Sequence, residues 1–114
     1  MVVQRGDVWW ASLPEPTGSE PGFRRPVVVV QADSFNQSRI NTVLCVVLTS
    51  NMRVGAAPGN VPLTKRESGL PKESVANVSQ VITLDRIFLD ERLSQLSSKA
   101  MRQIEAGLRL VLGL

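Results

Sequence analysis

Apolar residues in this chain fall into short runs separated by clusters of glycine, proline, asparagine and serine, and only the C-terminal stretch departs from that rhythm. The runs predict a mainly β body. Arg5-Gly6-Asp7-Val8-Trp9-Trp10-Ala11 reads as a first strand, and Leu13 to Gly22 as a loop too rich in proline and glycine for regular structure. A loop of that length inside a compact domain is commonly a lid, a binding segment or a linker. Val27 to Gln31 and Thr42 to Thr49 are nearly continuous β-branched runs, the pattern of strands buried on both faces. Asp33 to Ile40 reads as a turn or a single helical turn. Asn60 to Thr64 reads as a weak strand, and Ser74 to Thr83 as a stronger one fed by the turn Gly69-Leu70-Pro71-Lys72. Alternation does not decide which face of that last strand is wet.

From Ser97 or Ser98 the period changes: Met101, Ile104, Leu108 and Val111 recur at helical spacing, and Gly113 supplies the stop. Such a helix covers an open sheet edge or barrel end. With no internal repeat, low-complexity tract or boundary, the expectation is a single α+β domain over residues 1–114.

Composition narrows the chemistry. A chain of 114 residues, 43% hydrophobic, supports one core and buries roughly two thirds of its unfolded surface. Thirteen Lys and Arg against ten Asp and Glu give +3, a mild lean toward an anionic partner. There is no histidine and no tyrosine, so chemistry on a phosphate falls to arginine, hydroxyls and amides, and no metal or cofactor is expected. The single Cys45 lies inside an apolar run and reads as a buried strand thiol; one cysteine forms no intramolecular disulfide, which suits a reducing compartment. Without a signal-like start or an apolar run of about 20 residues, the chain is expected to be soluble and cytoplasmic, with no membrane partner.

Two motifs carry candidate chemistry. Arg24 and Arg25 stand between Gly22 and Pro26, and proline fixes its own φ while extending the residue before it, so Arg25 has a defined backbone just ahead of the valine strand. A planar, permanently charged guanidinium suits a phosphate whose charge grows during reaction. The plainer reading of the pair is two solvated residues flanking a strand. Thr49-Ser50-Asn51 at the end of the next strand is likewise ordinary turn chemistry when taken alone. Trp9 and Trp10 point to opposite faces of a strand, so one is core and the other exposed or at an interface. Arg86 beside Asp85 reads as a surface ion pair or cap. Lys65, Arg66 and Lys72 make only a weak patch, because Glu67 and Glu73 interrupt it.

Taken together, four segments resemble the MazF/PemK family of toxin endoribonucleases: Arg5-Gly6-Asp7-Val8-Trp9, Gly22-Phe23-Arg24-Arg25-Pro26-Val27-Val28-Val29, Leu48-Thr49-Ser50-Asn51, and Gln80-Val81-Ile82-Thr83-Leu84-Asp85-Arg86. Their order and spacing span nearly the whole chain. The resemblance implies a small SH3-like β-barrel with a C-terminal helix, the architecture shared by CcdB- and PemK-type toxins. It also implies a homodimer, metal-independent cleavage of single-stranded RNA, and a cognate antitoxin whose acidic and apolar C-terminal segment occludes the groove. Carried over by position, the family's arginine before proline falls on Arg25 and its catalytic hydroxyl on Thr49. The polar groove positions fall on Ser74 and Gln80. Some relatives place an arginine and an aspartate near Asn77 and Ser79, where this chain has neither charge; these two remain candidate RNA contacts, together with Arg24, Ser50 and Asn51.

RNA carries its own nucleophile, the 2′-OH, so positioning and charge stabilisation suffice in principle. The competing reading is a non-enzymatic CcdB-like toxin that grips a topoisomerase, but the tryptophan that resemblance would call for near the C-terminus is replaced here by Leu110-Val111-Leu112-Gly113-Leu114. A plain RNA-binding barrel is the third reading, and only three Phe and two Trp are present to stack bases.

Overall fold

The computed structural model describes residues 2–13, 18 and 23–114, so most of the expected loop from Leu13 to Gly22 lies outside the described residues. Six strands form one antiparallel sheet: β1 Asp7–Leu13, β2 Phe23–Val29, β3 Thr42–Thr49, β4 Val61–Leu63, β5 Ser74–Asp85 and β6 Leu89–Gln95. Their order across the sheet is β4-β5-β3-β2-β1-β6. Three helices accompany them: α1 Asp33–Asn36, α2 Lys65–Ser68 and α3 Ser98–Leu112. The sheet curls into a half-barrel whose two edges are β4 and β6. α3 packs on β4 and β5, and α2 packs on β6. The β body with a C-terminal helix is what the sequence pattern predicts, and the curl agrees with the small barrel that the family resemblance implies.

The valine runs explain the curl. Along β3, Val46 and Leu48 enter one core with Val8, Val28, Ala76, Val78, Met101 and Ile104, while Val43, Cys45 and Val47 enter a second with Trp9, Val27, Val29 and Leu84. Alternate residues of one strand therefore fill two cores, as a run without polar alternation requires. Leu44 is the exception and stays exposed. The two halves of β5 meet β3 across an irregularity: Val46 faces Val81, yet the next residue, Val47, faces Asn77. Residues 78–80 are left over at this bulge, which bends the strand and switches its faces. That switch is why simple alternation did not assign a wet face to this segment.

β6 is the element the sequence pattern does not show. Asp90, Glu91 and Arg92 leave it without an apolar period, and Leu89 is its only fully buried residue. Charged edge strands of this kind resist pairing with other chains. Its ladder with β1 is reinforced by the completely buried Asp7, whose carboxylate accepts hydrogen bonds from Gln4 N–H (2.9 Å), Arg92 Nε (3.1 Å), Trp9 Nε1 (3.4 Å) and Gln95 Nε2 (3.4 Å).

α3 begins at Ser97, whose hydroxyl accepts from Ala100 N–H (3.1 Å), and ends at Gly113 in the left-handed conformation. Met101 and Ile104 are buried as predicted, whereas Val111 is exposed because the last turn runs past the sheet. Of the two readings of Arg86 and Asp85, ion pair or cap, the structure shows caps. Arg86 Nη2 donates to the carbonyl of Asn36 (2.6 Å), capping α1 rather than pairing with Asp85, and Asp85 accepts from Ile87 N–H (3.0 Å).

Candidate functional site

The two sequence motifs meet because of where the β2–β3 ladder stops. Val29, Val28 and Val27 pair with Cys45, Val46 and Val47, and the pairing ends there. The next residue on β2 is Pro26, which has no N–H to donate, so the strand ends separate beyond it. Carrying the register two residues outward from Val27 and Val47 sets Arg25 across from Thr49. β1 still holds the other side of β2, pairing Ala11 with Arg25 and Trp10 with Pro26. Arg25 is thus inside a strand, not ahead of one, and its backbone is fixed by pairing as well as by proline.

The separated ends open a cleft of about 200 Å³. Arg24, Arg25 and Lys72 are the charged residues lining it, all cationic. Trp10, Leu48, Leu70 and Pro71 supply apolar surface, and Thr49, Ser50 and Ser74 supply hydroxyls. Of the candidate residues, Arg24, Arg25, Thr49, Ser50 and Ser74 therefore share one cleft. Asn51, Asn77, Ser79 and Gln80 do not line it. Asn51 accepts from Arg53 N–H (3.2 Å) at the start of the 3₁₀ turn Met52–Ala56. Asn77 Oδ1 accepts from Ser79 Oγ (2.7 Å) at the bulge, where Gln80 also lies.

Thr49 is oriented. Its Oγ1 accepts from Asn51 N–H (3.1 Å), which occupies a lone pair and leaves the hydroxyl hydrogen to donate. Asn51 thus supports the cleft through its backbone. Ser74 is buried, and its Oγ finds no hydrogen-bond partner among the described residues. Arg24 lies over the Trp10 ring, 4.6 Å from its centroid, with Asp90 at 3.7 Å and Glu91 at 3.6 Å. The half-buried Trp10 and buried Trp9 divide between cleft and core as a strand requires. Arg24 is accordingly tied to β6, its charge partly offset. Cys45 is remote from this chemistry: burial pushes its thiol up to about 12, so it is no nucleophile near neutrality.

Lys72, Leu70 and Pro71 belong to this cleft, although along the chain they read as a turn and part of a weak basic patch. Their signal was the rigid Gly69-Leu70-Pro71 punctuation, which does not reveal what the turn faces.

Residues 4–112 match the family model described as PemK-like, MazF-like toxin of type II toxin-antitoxin system. The chain belongs to that family. It is 43% identical to Endoribonuclease MazF2 of Mycobacterium bovis and to Endoribonuclease MazF6 of Mycobacterium tuberculosis, with all of both chains covered in each comparison. Among solved structures it is similar to MazF from Deinococcus radiodurans, with a TM-score of 0.82 at 23% identity, covering 100% of this chain and 99% of that one. A mycobacterial endoribonuclease in complex with its cognate antitoxin superposes with a TM-score of 0.76 at 24% identity, over 99% of this chain and 95% of the other. These likenesses support the fold. The curated relatives named here are endoribonucleases, not topoisomerase poisons, so the CcdB-like reading is not favoured.

Proposed function

We propose that this chain is the endoribonuclease toxin of a type II toxin-antitoxin pair, and that it cleaves single-stranded RNA in the cleft between the ends of β2 and β3. The observation that carries the reading is the convergence of Arg25 and Thr49 on one cationic cleft beyond the last β2–β3 pair. In the proposed reaction the ribose 2′-oxygen attacks the adjacent phosphorus, the bond to O5′ breaks, and a 2′,3′-cyclic phosphate and a 5′-OH result. The 2′-OH proton passes to water, and the departing oxygen is protonated from water. Arg25 donates to the nonbridging oxygens as charge builds on the phosphorane. The Thr49 hydroxyl, with its lone pair held by Asn51 N–H, donates to phosphate and fixes the in-line geometry. Neither side chain is a competent base, since a guanidinium holds its proton and a threonine hydroxyl binds one only weakly, so positioning and charge stabilisation carry the rate.

Ser50 and Ser74 contact the nucleotide in the cleft, while Asn77, Ser79 and Gln80 extend the RNA track along β5. The working unit is a cytoplasmic homodimer. Its inhibitor is an antitoxin segment, acidic and extended, whose charge complements the cleft. No helix among the described residues is long and apolar enough to cross a membrane.

Incubating the purified chain with a long RNA in EDTA and mapping the new ends tests this reading. Cuts recurring at a short sequence, with 5′-OH ends, are expected. Loss of cutting in EDTA, or ends bearing 5′-phosphate, would overturn the proposed chemistry.

A further inference from the structure

Besides the ends of β2 and β3, the cleft is lined by the segment Leu70-Pro71-Lys72 that leads to Ser74, and this segment is anchored. Gly69 caps α2 at φ 75°, and its N–H donates to Lys65 O (2.8 Å). A side chain at that position would press on the Leu93 carbonyl and Ser94 Cβ of β6. Leu70 is buried in the core, its N–H donating to Ser68 Oγ (3.2 Å), and Pro71 fixes the next φ. α2 itself is pinned to β6, where Ser94 Oγ donates to Glu67 O (2.9 Å). The exposed Lys72 is thus held at the rim by an anchored turn, and the buried Ser74 begins β5 just behind it.

We propose that Lys72 is a substrate-binding residue of this cleft, taking the phosphate next to the scissile one while the Trp10–Leu70–Pro71 surface receives a base face. The inference rests on the RNA-cleaving reading and deepens it. Three observations carry it. Every charged residue lining the cleft is cationic, and Lys72 is the one supplied by a segment other than β2. Arg24 is offset by Asp90 and Glu91, whereas Lys72 forms no ion pair with a described carboxylate. The Ser74 hydroxyl, without a partner among the described residues, stands in the same cleft. A phosphate chain bound by one arginine alone can pivot; a second cation from another segment of the lining sets its direction, and apolar surface in the same cleft suits a base. Lys65 and Arg66, grouped with Lys72 by sequence, lie on α2 and do not line the cleft.

The test uses the full chain and a single-stranded RNA oligonucleotide spanning the mapped cut, with 2′-deoxyribose at that position, titrated from low to high salt. Lys72→Ala should bind about three- to tenfold more weakly at low salt, with the slope of log K against log salt shallower by about 0.7, the value for one lost phosphate contact on a single strand. On cleavable RNA it should raise KM and leave kcat within about twofold. Lys72→Arg should restore the slope, Lys65→Ala should match the parent, and thermal midpoints should coincide. A Lys72→Ala protein with parental affinity and slope overturns the proposal while leaving RNA cleavage standing. A parent that neither binds nor cleaves RNA overturns both.

Discussion

Asp7 and Ser74 are two of the few buried polar side chains in this fold, and they sit in opposite hydrogen-bonding situations. Asp7 receives four donors from Gln4, Trp9, Arg92 and Gln95. Ser74 Oγ has none among the described residues. A buried group that is fully satisfied holds elements together; a buried hydroxyl without a partner costs free energy unless something outside the fold completes it. The Asp7 region is therefore the structural clamp between β1 and β6. In the proposed reading, the Ser74 region is the surface that meets an RNA strand, and the arginines divide the same way. Arg92 serves Asp7 and Arg86 caps α1, while Arg25 lines the cleft.

Substitutions on the two sides should separate activity from stability. The largest effect is expected at Arg25→Ala, where removing a donor to developing charge lowers kcat by about 10² to 10³. Its urea midpoint should stay close to the parent's, and a variant that unfolds instead would move Arg25 to the structural side. Next comes Asp7→Ala, expected to lower unfolding free energy by about 1.5–3 kcal/mol, because four donors lose a charged acceptor. Cleavage per folded molecule should persist. Ser74→Ala should do the reverse, leaving stability unchanged or slightly higher and weakening RNA binding.

The smallest effect concerns Cys45. Burial raises its pKa from 9.0 to about 12, so the neutral thiol is the form the fold favours. Its contribution is fully present below pH 9 and is lost as pH climbs toward 12, because the unfolded thiol ionises first. The urea midpoint should fall more steeply with alkaline pH in the parent than in Cys45→Ala. Equal slopes would remove that assignment.

Much of this contrast was readable in the chain, and the unread parts have physical causes. The valine runs identified β2 and β3 because strands buried on both faces show no polar alternation. β6 escaped because a charged edge strand has no apolar period. Arg25 and Thr49 were found as local motifs, yet their meeting depends on β2–β3 register, and the opening between them on the ladder ending at Pro26. Lys72 carries little signal in the sequence because Glu73 adjoins it and Glu67 breaks up the basic cluster, whereas in the fold it lines one cleft with Arg24 and Arg25. Asn77, Ser79 and Gln80 lie three to six residues along β5 from Ser74, at and inside the bulge, and do not line the cleft.

The central claim is that the cleft holds RNA still while the substrate's own hydroxyl does the cutting. Replacing the single ribose at the mapped cut by 2′-deoxyribose tests it most directly. The account predicts an oligonucleotide that binds like the parent RNA and is not cleaved at that position. Cleavage there at the normal rate would contradict it.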